Sequence, residues 1–412
     1  MLYGLIGEKL THSFSKEIHG RLADYDYTLK EIEQEKLEEF FEKREFCGIN
    51  VTVPYKTRVI GFLDEIDTAA EKIGAVNTVV NRGGKLSGFN TDALGLTALI
   101  KKNGIEINGK KVLVLGSGGT SRTALFVAEN LGAKEVIRVS RDKKDGFITY
   151  GEAADHENNA EVIINTTPCG MFPDSQSAPI GLLPFGALEA VVDVIYNPLK
   201  TRLVLEAQRR GIKATGGLYM LVAQAVGAAE LFIGRSIDKS RLEEIYGDIL
   251  REKLNIVLIG MPTCGKTTVG KKLSEKLGMR FFDTDEQITE KTGQTPAEII
   301  KSRGEEYFRA LESEVIALIS QNNHSVIATG GGAVTVDKNL LALKSNGKLY
   351  FLDRPLEMLK SSPDRPLSSS GDALKRLYER RIDLYRSAAD IIVKNDADID
   401  SAVEIIRKDL LL

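Results

Sequence analysis

Residues 260–268 read GMPTCGKTT, and they stand between two regular patterns. An apolar run, NIVLI at residues 255–259, precedes them, and a helical pattern, VGKKLSEKL at residues 269–277, follows them. Strand, glycine-bounded loop, Lys-Thr and helix is the setting in which G-x-x-x-x-G-K-[ST] forms a phosphate-binding loop. Backbone N–H groups of the loop and of the first helical turn then converge on phosphate oxygens. The sequence therefore predicts a nucleoside triphosphate site.

Individual side chains of this loop have predicted roles. Lys266 can reach the outer phosphates, and the Thr267 hydroxyl can bind a Mg²⁺ ion. The other positions expected to contact the nucleotide are Gly260, Thr263, Gly265 and Thr268.

The position of the loop predicts how the chain is divided. Such a loop follows the first strand of its domain, but residues 1–253 come before that strand. They suffice for a complete unit of another kind, while residues 254–412 suit a small nucleotide kinase. Two enzymes joined end to end are therefore expected, with a charged helical pattern running almost directly into the strand of the second.

Composition excludes several classes of protein. The 412 residues are 42% hydrophobic and 27% charged, with a formal net charge of −3, which is typical of a globular protein with two or three cores. This balance predicts neither nucleic acid nor an anionic membrane as a partner. The 3 cysteines are far apart and suggest neither a disulfide framework nor a zinc cluster. Without an apolar run of transmembrane length or a secretory pattern at the N-terminus, we expect a cytoplasmic protein, monomeric or homodimeric.

The N-terminal region places polar side chains where strands end. Ser13 and Ser15 lie on a predicted loop between a strand and a helix. Residues 47–60, CGINVTVPYKTRVI, alternate polar and apolar positions up to Thr52, which indicates a strand with one polar face. Lys56 is predicted to open a helix just beyond that strand. Ligands of α/β sheets bind at the carboxyl ends of strands, so these side chains are candidates for a site.

Two further motifs add an amide and a carboxylate. GAVNTVV, residues 74–80, places Asn77 on a predicted strand among apolar neighbours. GFNTDALGL, residues 88–96, places Asp92 at the start of a helix, where it could also serve as a helix cap. None of these motifs decides a function by itself.

Together the N-terminal motifs resemble those of the shikimate dehydrogenase family. The matching motifs, in order, are H-S-x-S at residues 12–15, N-V-T-x-P-x-K at 50–56, A-V-N-T at 75–78 and G-x-N-T-D at 88–92. The resemblance implies a catalytic Lys56–Asp92 pair, with substrate held by Ser13, Ser15, Thr52, Asn77 and Asp92. Such a pair suits the chemistry, because a ketone that accepts hydride develops alkoxide charge and needs a nearby proton donor or cation.

A dinucleotide site is predicted from residues 110–142, whose pattern is strand, glycine turn, helix and second strand. Gly116, Gly118 and Gly119 allow a pyrophosphate to approach the helix N-terminus closely. The third glycine of the usual fingerprint is replaced by Ser121, which is still small.

The end of the second strand favours NADP. Ser140 and Arg141 stand there, followed by Lys143, and arginine suits a ribose 2′-phosphate. Asp142 would repel that phosphate if it pointed inward, so NAD use stays open.

The resemblance to shikimate dehydrogenase spans about residues 1–247. It implies substrate contacts from Tyr196 and Gln224, and a cofactor contact from Gly217. We expect a substrate-binding domain at residues 1–90 and 216–247, a Rossmann-type NADP domain at 91–215, and a short junction at 248–253.

The C-terminal region carries a second set of polar motifs. Asp283 and Asp285 follow a predicted strand two residues apart, so both can face one site or cap the next helix. GGG at residues 330–332 follows a strand, which indicates that some group approaches the backbone closely. Arg309 is predicted on a helix, and Arg365 on a polar loop of the kind that forms a lid.

With the phosphate-binding loop and Arg381 on a late helix, these motifs resemble the shikimate kinase family over residues 254–412. The resemblance implies that Asp283 helps hold Mg²⁺, that Asp285 binds the accepting hydroxyl, and that Lys266 and Arg365 stabilise the transferring phosphoryl group. It assigns the grip on the substrate carboxylate and ring to Arg309, Arg381, Gly330, Gly331 and Gly332.

The predicted fold is α/β: an α/β substrate domain with a Rossmann-type NADP domain, then a P-loop kinase domain with a parallel sheet flanked by helices. The implied function is bifunctional, with NADPH-dependent reduction of 3-dehydroshikimate to shikimate followed by ATP- and Mg²⁺-dependent phosphorylation of shikimate. The alternatives are quinate as substrate or NAD as cofactor in the first unit, and a regulator that has kept the pockets.

Overall fold

The computed structural model of this chain describes residues 3–10, 14–360 and 370–411. The chain divides into two compact units. The first consists of Met1–Met171 and Ser177–Ile249, the second of Phe172–Gln176 and Leu250–Leu412.

The first unit contains two sheets, and the N-terminal one is mixed. Its strands are β1 (Tyr3–Gly7), β2 (Tyr27–Glu31), β3 (Gly48–Val51), β4 (Glu65–Ile66), β5 (Thr78–Arg82) and β6 (Lys85–Phe89). They lie in the order β2-β1-β3-β5-β6-β4. β1 pairs in parallel with β2 and β3, and β5 runs antiparallel to β3 and β6. The accompanying helices are α1 (Ser15–Leu22), α2 (Leu37–Lys43), α3 (Thr68–Ile73) and α4 (Thr91–Lys102).

The second sheet of this unit is wholly parallel. Its strands are β7 (Lys111–Leu115), β8 (Glu135–Ser140), β9 (Ile148–Thr149), β10 (Val162–Asn165), β11 (Ala190–Asp193) and β12 (Lys213–Thr215). The order β12-β11-β10-β7-β8-β9 is that of a doubly wound sheet, whose order reverses beside β7. Its helices are α5 (Gly119–Asn130), α6 (Tyr150–His156) and α7 (Arg202–Arg209), followed by α8 (Leu218–Ile233) and α9 (Lys239–Lys253).

The second unit is built on one parallel sheet. Its strands are β13 (Asn255–Ile259), β14 (Arg280–Asp283), β15 (Ser325–Ala328), β16 (Gly347–Asp353) and β17 (Ile391–Lys394), in the order β14-β15-β13-β16-β17. Its helices are α10 (Lys266–Leu277), α11 (Thr284–Thr292), α12 (Pro296–Arg303), α13 (Glu305–Ile319), α14 (Asp337–Asn346), α15 (Gly371–Ala388) and α16 (Ile399–Leu411).

The parallel sheets form the centres of the cores. Every residue of β7 except Lys111, and every residue of β13, is buried. A strand covered by helices on both faces reads as a continuous apolar run, and KVLVL and NIVLI are such runs. Among the described residues, no helix is long and apolar enough to cross a membrane.

The predicted α/β architecture is confirmed, and one local prediction is wrong. Lys56 does not open a helix: it lies in a turn, and a short 3₁₀ helix begins at Arg58. Pro54 lies in the preceding turn and disfavours helical geometry at Val53, so a helix does not start directly after β3.

Candidate active sites

An ion pair lies at the start of α4 in the first unit. Lys56 Nζ is 2.6 Å from Asp92 Oδ2, and both side chains are largely buried. The helix is capped by Asn90, whose side chain accepts a hydrogen bond from the Ala93 N–H at 3.1 Å. Because Asn90 fills the capping role, the alternative that Asp92 is the cap is wrong, and the carboxylate of Asp92 is available to orient Lys56.

Asn77 and Gln224 meet beside this pair through Thr91. The Asn77 amide donates to Thr91 Oγ1 at 3.1 Å and accepts from the Thr91 N–H at 2.7 Å. Gln224, on α8, has its Oε1 atom 3.5 Å from the same hydroxyl. Asn77 was predicted on a strand, but it lies directly before the first residue of β5.

A chain of buried hydrogen bonds continues from Thr91 into the sheet. Thr91 Oγ1 is 3.1 Å from Thr78 Oγ1, which accepts from the Asn50 amide at 3.0 Å. Asn50 Oδ1 in turn accepts from the Tyr27 hydroxyl at 2.7 Å. A fully satisfied buried network of this kind rigidifies the groups that it contains. Asn50, Thr78 and Thr91 were not predicted as site residues, although all three belong to the matching motifs.

The remaining described substrate candidates of this unit are Ser15, Thr52 and Tyr196. Ser15 is the buried first residue of α1, and the ring of Tyr196 packs against the neighbouring Phe14 with centroids 5.2 Å apart. Burial raises the pKa of the Tyr196 hydroxyl. Thr52 follows β3, where its N–H donates to Ile6 O at 3.0 Å. Ser13 lies outside the described residues.

The glycine turn between β7 and α5 fits a dinucleotide. Gly116 has a φ of 116°, and a Cβ there would lie 2.6 Å from Thr166 Oγ1. Gly118 has no atom within 4 Å of such a position, and a Cβ on Gly119 would lie 3.8 Å from Lys56 Cδ. The helix N-terminus is thus open to a pyrophosphate, and it lies against the Lys56–Asp92 pair.

Gly217 has a structural reason to be glycine. A Cβ there would lie 2.1 Å from Val194 O, so α8 can start at this point only if residue 217 has no side chain.

The residues that follow β8 are exposed, as a 2′-phosphate site requires, whereas Ser140, the last residue of the strand, is buried. Ser140 Oγ donates to Asp142 O, and Arg141 and Asp142 are both exposed. Lys143 forms an ion pair with Glu152 at 2.5 Å, and this hydrogen bond, with those from Thr149, lowers the pKa of Glu152 to about 2.

One open cavity of the first unit, with a volume of about 390 Å³, does not include Lys56 or Asp92 among its lining residues. It is an open groove between α4 and α8, lined in part by Leu94, Gly227 and Leu231. It reaches the site through Thr91, so volume alone does not identify the reacting centre.

In the second unit, the phosphate-binding loop connects β13 to α10 as predicted. Gly260 and Gly265 have φ values of 148° and 97°. Lys266 is buried, and its ammonium donates to Gly260 O and Met261 O, both at 2.9 Å. These two contacts hold the lysine inside the loop.

Asp283 caps α11, which is one of the two roles that the sequence left open, and it also contacts the phosphate-binding loop. Its Oδ2 atom accepts from the Thr267 hydroxyl at 2.7 Å, and its Oδ1 atom accepts from the Asp285 N–H at 2.9 Å, which caps α11. A hydroxyl and a carboxylate held together suit Mg²⁺, which prefers oxygen ligands and is usually held by few protein groups together with nucleotide phosphates. The described residues contain no group of three or more His, Cys, Asp or Glu side chains that could hold a metal ion.

One cavity of about 240 Å³ gathers these groups. Its lining residues from the phosphate-binding loop and the start of α10 are Thr263, Gly265, Lys266, Thr267 and Thr268. Asp283, Asp285, Gly330 and Gly331 also line it. Most of the predicted phosphate and metal residues and two of the predicted substrate glycines therefore share one cavity, whereas its lining does not include Gly260, Arg309, Gly332 or Arg381.

The glycines after β15 leave room for side chains of the protein itself. A Cβ on Gly332 would lie 2.1 Å from Arg309 Nη1. A Cβ on Gly330 would lie 2.5 Å from Glu312 Oε1 and 3.2 Å from Asp285 Oδ1. Gly331 O accepts from Arg381 Nη1 at 3.0 Å. The close approach predicted for this turn is made by these groups.

Glu312 is a residue that the motifs did not predict. It is fully buried on α13, and its Oε2 atom is 2.7 Å from Arg309 Nη1. Burial raises the pKa of Glu312, the nearby Asp285 carboxylate raises it further, and Arg309 opposes both effects. The spacing Arg309 to Glu312 on one helix face was the available signal. Arg365 lies outside the described residues.

Two family models match the chain. The shikimate dehydrogenase substrate binding domain matches residues 5–79, and shikimate kinase matches residues 262–410. The matched ranges contain Thr52, Lys56 and Asn77 in the first case and Lys266, Asp283 and Asp285 in the second.

Relatives and solved structures match the first 60% of the chain. A shikimate dehydrogenase (NADP(+)) of Clostridium perfringens (strain 13 / Type A) is 38% identical over 266 residues, which cover 60% of this chain and 98% of that protein. The structure of a chorismate mutase/shikimate 5-dehydrogenase fusion protein from Clostridium acetobutylicum is 39% identical with a TM-score of 0.57, covering 60% of this chain and 96% of that one. Shikimate 5-dehydrogenase from Thermus thermophilus, in complex with NADP(H) and shikimate, is 31% identical with a TM-score of 0.54, covering 60% and 98%.

Proposed function

Because this chain belongs to the shikimate dehydrogenase family and carries a shikimate kinase domain behind it, we propose that it catalyses two consecutive reactions on one ring. The first is the NADPH-dependent reduction of 3-dehydroshikimate to shikimate. The second is the ATP-dependent phosphorylation of shikimate to shikimate 3-phosphate. Both act at the same ring carbon, and the second consumes the product of the first.

The Lys56–Asp92 pair is the observation that carries the first reaction. Reduced nicotinamide supplies the hydride that adds to the carbonyl carbon. The carbonyl oxygen then takes a proton from the Lys56 ammonium, which Asp92 holds at 2.6 Å. Gly119 lies close to the Lys56 side chain, so the cofactor helix and the proton donor serve the same substrate. Asn77, Gln224, Tyr196, Ser13, Ser15 and Thr52 would bind the carboxylate and hydroxyls.

The cavity around Lys266 carries the second reaction. The substrate hydroxyl attacks the γ-phosphorus, its proton passes to Asp285, and ADP leaves. Lys266 would exchange its two carbonyl contacts in the loop for phosphate oxygens, and Thr267 with Asp283 would hold Mg²⁺. Arg309, Arg381 and the turn at Gly330, Gly331 and Gly332 would bind the substrate, and Arg365 would act on the phosphoryl group.

A cross-test of two variants examines the pair of activities in the full-length protein. Lys56→Ala should lower the reduction rate by at least about a hundredfold and leave phosphorylation unchanged. Lys266→Ala should lower phosphorylation by about a hundred- to a thousandfold and leave reduction unchanged. Each variant is the folding control for the other, and an intact target activity would overturn the role of that lysine.

The preferences for cofactor and for substrate can be tested in one set of assays. Arg141 and Ser140 at the end of β8 support NADP, with Gly116, Gly118, Gly119, Lys143 and Gly217 around the dinucleotide. Initial rates with NADP⁺ and NAD⁺, each with shikimate and with quinate, separate the proposed activity from the alternative. A regulator that has lost its chemistry would show no activity in any of the four assays. The chain argues against this alternative, because it retains the proposed catalytic residues Lys56, Asp92, Lys266, Asp283 and Asp285.

The division of labour along the chain is part of the proposal. Residues 1–90 and 216–247 would bind the dehydrogenase substrate, residues 91–215 NADP, and residues 254–412 ATP and shikimate, with a junction at 248–253. The three free cysteines suit a reducing cytoplasm, where such an enzyme would act on small molecules. Analytical sedimentation would distinguish a monomer from a homodimer.

A further inference from the structure

Thr263, at the tip of the phosphate-binding loop, has a backbone conformation that a threonine rarely adopts. Its φ is 63°, in the left-handed region. A β-branched side chain is disfavoured there, because its branched Cβ crowds the backbone. Strained backbone of this kind persists only where surrounding contacts hold it, and such residues cluster at functional sites. The structure must therefore supply contacts that hold Thr263 in place.

Those contacts come from the main chain of one distant residue. The Lys360 N–H donates to Thr263 Oγ1 at 3.1 Å, and Lys360 O lies 3.0 Å from the same oxygen. The Thr263 proton is shared between Lys360 O and Pro262 O, the latter at 2.7 Å. A single hydroxyl thus meets both backbone groups of Lys360. A glycine could adopt this φ without strain, but it could not make this connection.

The segment that Thr263 holds is anchored in the core. Leu359, next to Lys360, is buried in the hydrophobic core of the second unit. On the other flank of the loop, the buried Asn395 amide donates to Cys264 O. Two consecutive loop residues are therefore bound to two different parts of the unit, one through a side chain and one through a carbonyl.

Position gives this connection a consequence for nucleotide binding. Thr263 lines the same cavity as Lys266, Thr267 and Asp283. The loop binds phosphate through backbone N–H groups, which must keep their directions if they are to converge on one anion. Ordering such a loop before the ligand arrives lowers the entropy lost on binding.

We propose that Thr263 is a positioning residue of the kinase site: its hydroxyl ties the tip of the phosphate-binding loop to the main chain of Lys360 and so holds the loop ready for the phosphates of ATP. This inference rests on the proposed kinase function for its substrate. The proposed positioning of the loop depends on the hydrogen bonds between the Thr263 hydroxyl and Lys360. The hydrogen bond to Pro262 O alone would not fix the position of the loop, because both of its partners belong to the loop.

The test compares three variants of the full-length protein. Thr263→Val keeps the branched shape and loses the hydroxyl, Thr263→Ala loses both with less strain, and Thr263→Ser keeps the hydroxyl. We expect Thr263→Val and Thr263→Ala to raise KM for ATP about fivefold, with kcat and KM for shikimate within about twofold. Thr263→Ser should match the unaltered protein. Thr292→Val is the matched control, since it removes a hydroxyl bonded to Ile288 O on α11.

Reduction of 3-dehydroshikimate by the same preparations reports on the rest of the chain, and the Kd for ATP is measured beside KM. The proposal is overturned if Thr263→Val and Thr263→Ala leave both KM and Kd for ATP unchanged. It is also overturned if Thr263→Ser weakens ATP binding as much as Thr263→Val does. If the proposed kinase function is wrong, the unaltered protein transfers no phosphate to shikimate. The Kd for ATP is measured without turnover, so it tests the role of Thr263 separately from that function.

Discussion

His19 is fully buried in an aromatic cluster of the first unit. Its ring stacks on Tyr27 with centroids 3.9 Å apart, and its Nδ1 atom is 2.6 Å from the Tyr25 hydroxyl. Burial lowers the pKa of His19 to about 3. The unfolded chain binds a proton here below about pH 6.5, but the folded protein does not until about pH 3. The contribution of His19 to the free energy of unfolding is therefore complete above pH 6.5 and decreases as the pH falls below that value.

This state of His19 can be observed directly. The chain has 4 histidines, and their ring C–H resonances can be followed by NMR from pH 5 to 8. One resonance should stay unshifted over this range and should be missing from the spectrum of His19→Gln. Titration of all four near pH 6.5 would contradict the burial of a neutral ring.

Tyr27 acts on the substrate residues through the buried hydrogen bonds. Tyr27→Phe leaves Asn50 Oδ1 without its 2.7 Å donor, which should cost about 1–2 kcal/mol of stability. Because Asn50 leads through Thr78 to Asn77, KM for shikimate should rise while KM for NADP⁺ stays unchanged. Tyr3→Phe is the control, since it removes a hydroxyl from the same aromatic cluster. Equal effects of the two variants would show that the network does not orient Asn77.

At the scale of elements, the turn between β7 and α5 requires glycine for two different reasons: at Gly116 for the fold, and at Gly118 for the approach of the proposed ligand. Gly116→Ala places a methyl group 2.6 Å from Thr166 Oγ1 at a φ of 116°, so it should destabilise the first unit by about 1–3 kcal/mol. Gly118→Ala meets no atom within 4 Å at a φ of −85°, so stability should be unchanged. Because we propose that the dinucleotide approaches Gly118, Gly118→Ala should still raise KM for NADP⁺. Melting curves with kinetics distinguish the two, and a destabilised Gly118→Ala would refute the assignment.

At the scale of the whole molecule, each unit has its own hydrophobic clusters, and we propose a different ligand for each unit. A ligand that binds only the folded form stabilises it by about 2.7 kcal/mol at 100 times its Kd. NADP⁺ should therefore protect the reductase activity during a heat challenge, and Mg²⁺ with ADP should protect the kinase activity. Residual activities measured on one heated sample report both. Protection of both activities by either ligand alone would contradict separate binding sites.

Local patterns were sufficient for the elements that depend on neighbours in the chain. The run NIVLI, the loop GMPTCGKTT and the helix after them were predicted from residues 255–277, and the structure has β13, the loop and α10 there. The motifs around Lys56, Asn77 and Asp92 likewise predicted which side chains belong together. Glycine, β-branched and capping residues act over a few positions, so their effect can be read from sequence.

The contacts between distant segments could not be read in this way. The spacing from Arg309 to Glu312 is local, but it does not indicate that Glu312 is buried against the turn at Gly330, and nothing local to Thr263 indicates Lys360. The Tyr27 to Asn50 bond joins two strands that are separated by β1.

The sequence by itself determined the two α/β units and their families, and it supplied most of the proposed reacting groups, because these follow from short patterns with fixed spacing. Only the tertiary structure decided which buried partner orients each group and which glycine makes room for which side chain. Burial and hydrogen bonding between segments far apart in the chain depend on how sheets and helices pack, and that packing is a property of the whole chain.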